Sequence, residues 1–145
     1  VAGLILLGTG AHLPVNPWIL EMVQKDFPLL AAKVNAWSWG PGASEEIKTL
    51  GLAALLAAPP EVVWGDYQAC AAFDLRAQLA AITAPSLVLC GQADKMTPPA
   101  ESEFLAVQLP QAELRLFAGL GHNAMLEDGP AIAGALQSWL QARGL

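Results

Sequence analysis

Two loops carry the side chains in this chain best suited to moving protons. The first, Phe117-Ala118-Gly119-Leu120-Gly121-His122-Asn123-Ala124-Met125-Leu126-Glu127, sets one histidine behind two glycines and ahead of an apolar run. Imidazole has the side-chain pKa nearest neutrality, so His122 can both take and give a proton at working pH. The second, Cys90-Gly91-Gln92-Ala93-Asp94-Lys95-Met96-Thr97-Pro98, carries one carboxylate, Asp94. If the strands feeding the two loops lie near each other in a parallel sheet, both loops leave the same edge. Asp94 would then accept the hydrogen bond that fixes the tautomer of His122. An acid after one strand and a base after the next make up two parts of a nucleophilic triad. The same residues also suit a loop cap and a turn filler, so their spacing alone leaves both readings open.

The elements around these loops read clearly. Leu4-Ile5-Leu6-Leu7 is a continuous apolar run, as expected of a strand buried on both faces of a parallel sheet. Ser86-Leu87-Val88-Leu89-Cys90 is a second strand, and Glu113-Leu114-Arg115-Leu116-Phe117 a third, alternating one. Asp74 is expected to cap a short helix through Leu75, Leu79 and Ile82. Thr97-Pro98 opens a helix carrying Phe104, Leu105 and Leu109. Asp128-Gly129-Pro130 opens the last helix, with Ile132, Leu136, Trp139 and Leu140 facing inward and Gly144 after its end. Strands alternating with helices predict an α/β fold, with parallel strands and helices on the sheet faces.

Residues 16–73 break this alternation and read as helices throughout. Asn16-Pro17 is a helix start, with an N-cap followed by proline at N1. That helix should run through Trp18, Leu20, Met22 and Val23 toward Phe27 until Pro28 interrupts it, leaving a further turn or two. Ser44 caps the next helix, with Glu45 and Glu46 favourably placed in its first turn. Pro59-Pro60 stops it, and another helical piece carries Val62, Val63, Tyr67, Cys70 and Phe73. Four of the five tryptophans lie here. We read the segment as a helical lid, with Trp18, Trp37, Trp39 and Trp64, together with Met96, as candidate lining of an apolar substrate pocket. The expected organisation is a core strand and loop at 1–15, a helical cap at 16–73, and at 74–145 the part of the core bearing the acid and histidine loops. His12 falls in an ordinary loop with no carboxylate near it in sequence, and is not assigned to catalysis.

Composition narrows the function. The chain is 54% hydrophobic and 14% charged, enough to build a core. A formal charge of -6 argues against nucleic acid, which needs clustered Lys and Arg. Cys70 and Cys90 are in no metal-ligand spacing, and with two histidines no metal site is implied. They read as two buried thiols of a reducing compartment, which suggests a cytoplasmic protein with no membrane partner. The apolar run at residues 1–7 is too short to span a bilayer.

Gly91-Gln92-Ala93-Asp94-Lys95-Met96-Thr97-Pro98 resembles the acid loop of the α/β-hydrolase superfamily, and Gly121-His122-Asn123-Ala124-Met125-Leu126-Glu127 resembles its histidine loop. Phe73-Asp74-Leu75-Arg76, with Leu79, Ile82 and Pro85, resembles the run from the lid back into the core. Leu7-Gly8-Thr9-Gly10 resembles the strand end before the lid. The resemblance covers nearly the whole chain in family order. It implies a partial α/β-hydrolase fold with an inserted helical cap, Asp94 as the triad acid and His122 as the general base. It also implies a small acyl or ester substrate and no cofactor, as in serine carboxylesterases, and the apolar lid with few charges favours a hydrophobic one. Family relatives that cleave carbon–halogen or carbon–carbon bonds, or perform perhydrolysis, are the near alternatives, and a ligand-binding relative without catalysis is the further one.

One part of the family pattern is absent. The G-x-S-x-G nucleophile elbow lies upstream of the first strand in this family, and no such motif is present. Gly42-Ala43-Ser44-Glu45-Glu46 lacks the last glycine and the preceding strand, and Ser44 reads as a helix cap. Ser86 opens a strand and Ser102 lies in a helix. With Val1 leading straight into a strand, the chain reads as the C-terminal part of a longer hydrolase. Alone it is expected to be inactive and poorly packed, with its first strand exposing an unpaired edge.

Overall fold

The computed structural model describes residues 1–144. Three parallel strands form the sheet: β1 (Leu4–Leu7), β2 (Ser86–Gly91) and β3 (Ala112–Phe117), with β2 in the middle. Leu4 and Ala112 both stand opposite Ser86, so the three strands start level; β2 and β3 end together at Gly91 and Phe117, and β1 ends opposite Leu89. Every residue of β2 is buried, which explains its unbroken apolar run. Its side chains alternate between two layers. Leu87 and Leu89 pack with Ile132, Ala135 and Trp139 on one face, and Val88 packs with Leu79, Leu105 and Leu109 on the other. Each such side chain contributes about 1.5–3 kcal/mol by leaving water. β3 is half-buried along its whole length, because it is an edge strand.

The covering elements follow from local signals. The helix α5 (Pro99–Gln108) and a 3-10 helix (Arg76–Ala81) cover one face. The other is covered by α7 (Gly129–Gln141), which is preceded by a single turn, α6 (Ala124–Glu127). Asp128 ends α6 and caps α7 by accepting from the Ala131 N–H at 3.0 Å. The 3-10 helix begins after Leu75 rather than Asp74. The Asp74 carboxylate instead accepts from the Arg76 backbone N–H and guanidinium, which hold it well below the usual carboxylate range.

Four helices fill the stretch between β1 and β2: α1 (Pro17–Lys25), α2 (Phe27–Trp37), α3 (Glu45–Ala57) and α4 (Pro60–Ala72). The Asn16 side chain caps α1 through the Trp18 N–H at 2.9 Å, and Ser44 caps α3 through Ile47 at 3.3 Å. Pro28 does not interrupt a helix. Asp26 closes α1, turns the chain, and caps α2 through Leu29 at 3.1 Å, which puts Pro28 in the first turn, where proline costs nothing. The resulting α2 runs 11 residues, well beyond a turn or two. The insert has its own small core of Val23, Leu30 and Val34. Neither α3 nor α4 fully buries any residue, and Cys70 on α4 is half-buried while Cys90 is fully buried. No single helix among the described residues is long and apolar enough to cross a membrane.

The two ends of the insert meet. His12 forms an isolated antiparallel bridge with Asp74, and the Leu75 N–H donates to the Ala11 carbonyl at 2.8 Å. The helices are therefore held on a closed base beside β2.

Candidate active site

Asp94 lies three residues past the end of β2, in a loop that saturates its carboxylate. Oδ1 accepts the backbone N–H groups of Met96 at 2.8 Å and Thr97 at 2.9 Å. Oδ2 accepts the Thr97 hydroxyl at 3.0 Å and faces Nδ1 of His122 at 3.0 Å. A carboxylate offers about four lone-pair positions, so these bonds fill it and leave one orientation. Its side chain is 0% exposed. Burial pushes the Asp94 carboxyl up. The hydrogen bond from His122, the Thr97 N–H, the charge of His122 and the Met96 N–H outweigh it and hold the group below the usual carboxylate range.

His122 arrives from β3 through a loop whose backbone touches that of the acid loop. The Gln92 N–H donates to Phe117 at 2.9 Å and the Ala93 N–H to Leu120 at 2.8 Å. At Gly91 a Cβ would stand 2.2 Å from the Leu120 carbonyl oxygen, so only glycine allows this approach. Gly119 takes φ +77°, the left-handed region that turns the chain back toward Asp94. Gly8, at the end of β1 with φ +57°, abuts the same pair: a Cβ there would lie 3.5 Å from Nδ1 of His122 and 3.6 Å from Oδ2 of Asp94.

The geometry fixes the imidazole's chemistry. Oδ2 of an ionised carboxylate only accepts, so Nδ1 carries the proton and donates to it. Thr97 Oγ1, 3.2 Å from Nδ1, shares that contact while its own hydrogen goes to Asp94. Nε2 is left with its lone pair and no partner among the described residues, and the His122 side chain is 32% exposed. The arrangement is a buried, oriented acid behind a half-open base. No hydroxyl answers Nε2 within the described residues. Ser44 caps α3, Ser38 donates to Val34, Ser86 donates to Ala84, and Ser102 is buried within α5.

The other candidates lie around the insert. Trp18, Trp37, Trp64 and Met96 pack against its Val23–Leu30–Val34 cluster, with the rings of Trp18 and Trp37 6.1 Å apart. Trp64 lines a cleft with Phe27 and Val23. Trp39 is buried, bonds Asn35 through its ring N–H at 2.9 Å, and borders a second cleft near Lys48 and Lys95. Thr97 and Gly8 were not assigned from sequence. An Asp followed three residues later by Thr is a signal that could have found Thr97; nothing local distinguishes Gly8. Burial pushes the Cys90 thiol up, which leaves it a protonated core group. No three His, Cys, Asp or Glu side chains converge among the described residues.

A family model described as serine aminopeptidase, S33 matches residues 1–129. A thermophilic esterase of known structure superposes with a TM-score of 0.88 at 30% identity, over 99% of this chain and 57% of its own. The pimeloyl-[acyl-carrier protein] methyl ester esterase of Xanthomonas campestris pv. campestris is 35% identical over 69 residues, 48% of this chain and 27% of that enzyme. Polyketide synthase ThaQ of Burkholderia thailandensis is 40% identical over 68 residues, 47% of this chain and 3% of that protein. The chain thus spans a little over half the length of the esterase structure and much less of these curated relatives.

Proposed function

Because the chain belongs to the serine aminopeptidase S33 family and has the α/β-hydrolase fold, we propose that it supplies the acid and the base of an ester hydrolase. The nucleophile, a serine, comes from outside residues 1–145. His122 takes the nucleophile's proton through Nε2, passes it to the leaving alcohol, and then activates water on the acyl-enzyme. Asp94 keeps the proton on Nδ1 and stabilises the imidazolium that forms at each transfer. The four-helix insert is the cap, and its apolar, tryptophan-rich packing favours a small hydrophobic acyl group. The single observation that carries this reading is the 3.0 Å contact between Nδ1 and a buried, saturated carboxylate, with Nε2 left free. The matched esterases support an ester rather than a halide or carbon–carbon substrate.

The test is His122→Ala in the intact protein, assayed on a short p-nitrophenyl ester. Turnover should fall by about three to six orders of magnitude while the fold persists. A rate within tenfold of wild type would remove His122 from the mechanism.

A further inference from the structure

Glu127 closes the short helix α6, where a negative charge gains nothing from the helix dipole. Its carboxylate is turned back instead. Oε1 accepts the Gly121 N–H at 2.9 Å, and Oε2 accepts the Gly40 N–H at 2.9 Å, from a residue 87 positions away in the chain. Both are charge-assisted bonds, stronger than neutral ones. Gly40 lies just beyond α2 of the insert, and Gly121 immediately precedes His122. The two backbones are in direct contact: a Cβ on Gly121 would come 2.3 Å from the Gly40 nitrogen, and one on Gly40 2.1 Å from the Gly119 oxygen. Beside them the Ser38 carbonyl accepts both the His122 N–H at 3.0 Å and the Asn123 N–H at 3.2 Å. The N–H groups of three successive residues, 121 to 123, therefore all go to Glu127 or to Ser38, and none to the strand that delivers the loop.

We infer that Glu127 is a positioning residue, a clamp that joins the end of α2 to the histidine loop so that the seat of the insert and the aim of the His122 imidazole are set together. For its effect on turnover this rests on the proposed function; for its effect on the imidazole it does not. Only a carboxylate of this length satisfies both N–H groups. A glutamine offers one oxygen and one NH2, so one backbone N–H must face another donor. An aspartate is one methylene short of bridging.

Glu127→Gln, which keeps the shape, and Glu127→Asp, which keeps the charge, test the clamp in the intact protein. Two readouts are needed: kcat and KM on a p-nitrophenyl ester, and exchange of the His122 Nδ1–H followed by NMR. A misplacement of the base near 1 Å is worth about a hundredfold in rate. Both variants should lower kcat by about 10- to 100-fold with KM within about threefold, and should speed Nδ1–H exchange at least about tenfold. A kcat within twofold and unchanged exchange would overturn the clamp. So would a loss of kcat with unchanged exchange, since the damage would then lie elsewhere. If His122→Ala itself stays active, the proposed function fails, and the exchange measurement still decides for or against the clamp.

Discussion

Asp94→Asn separates an orienting acid from a merely structural one, because the loop dictates how the new amide must sit. The Oδ1 position receives two backbone N–H groups, from Met96 and Thr97. An NH2 group there would face two donors and lose two bonds, each worth about 1–3 kcal/mol when buried. The amide oxygen therefore takes that position and the NH2 lands where Oδ2 was, 3.0 Å from Nδ1 of His122. Two donors cannot share that contact. Nδ1 must give up its proton and accept, and the proton moves to Nε2, where the proposed mechanism needs a lone pair. Restoring the productive tautomer breaks the new bond and sets N–H against N–H. In triads of this kind the wrong tautomer costs about 10⁴-fold in kcat, or about 5.4 kcal/mol at 1.36 kcal/mol per decade.

The assay is steady-state hydrolysis of a p-nitrophenyl ester by the intact protein, beside a thermal melt and the imidazole nitrogen shifts of His122. The expected result is kcat lower by about 10³- to 10⁴-fold, a melting temperature within about 5 °C of wild type, and a proton moved to Nε2. Retention of kcat within tenfold would refute the role of Asp94. A large loss with the tautomer unchanged would show that Asp94 does not act by placing the proton on Nδ1, even though activity fell.

Two further outcomes follow from the same contacts. Gly91→Ala forces a methyl to 2.2 Å from the Leu120 carbonyl, a backbone atom that cannot step aside, and should destabilise by about 3 kcal/mol or more in urea unfolding; Gly134→Ala, in open space on α7, should be neutral or stabilising by up to about 1 kcal/mol. The depressed Asp94 carboxyl contributes stability that is fully present above the ordinary carboxylate value of 3.8 and disappears as pH falls through its lower folded-state value, so the urea midpoint difference between wild type and Asp94→Asn should be flat above about pH 5 and shrink below 3.8. A difference that stays constant down to pH 2 would contradict the hydrogen bonds assigned to that carboxylate.

What could be read from the residues alone was whatever is written locally. Asn16, Ser44 and Asp128 cap helices because each meets a backbone N–H two or three residues on. The apolar run 86–90 is the central strand because both its faces are covered. Pro28 was misread because the apolar pattern runs on through Phe27, and that pattern outweighed the aspartate at 26 that stops and restarts the helix. The turn α6, at four residues, is too short for a period to register. Glu127, Ser38 and Gly8 were invisible for a different reason: their partners lie far away in the chain, and nothing in a side chain's identity names a partner at that distance. The tryptophans show the same limit, since an aromatic cluster does not say which rings pack inward and which border a cleft.

The contrast in exposure between the two paired side chains gives the site its direction. Asp94 has no open side-chain surface and no spare lone pair, so its carboxylate is held in one orientation. His122 has a third of its side chain open and one nitrogen free, and the proposed proton transfer uses that nitrogen. The two loops are locked to each other by backbone contact at Gly91, and the histidine loop is locked to the insert by backbone contact at Gly40 and Gly121. Backbone contacts of this kind do not adjust by changing rotamer. The imidazole is thus held in a rigid frame by Asp94 and Thr97, and in the proposed mechanism its free nitrogen marks the side from which the nucleophile approaches.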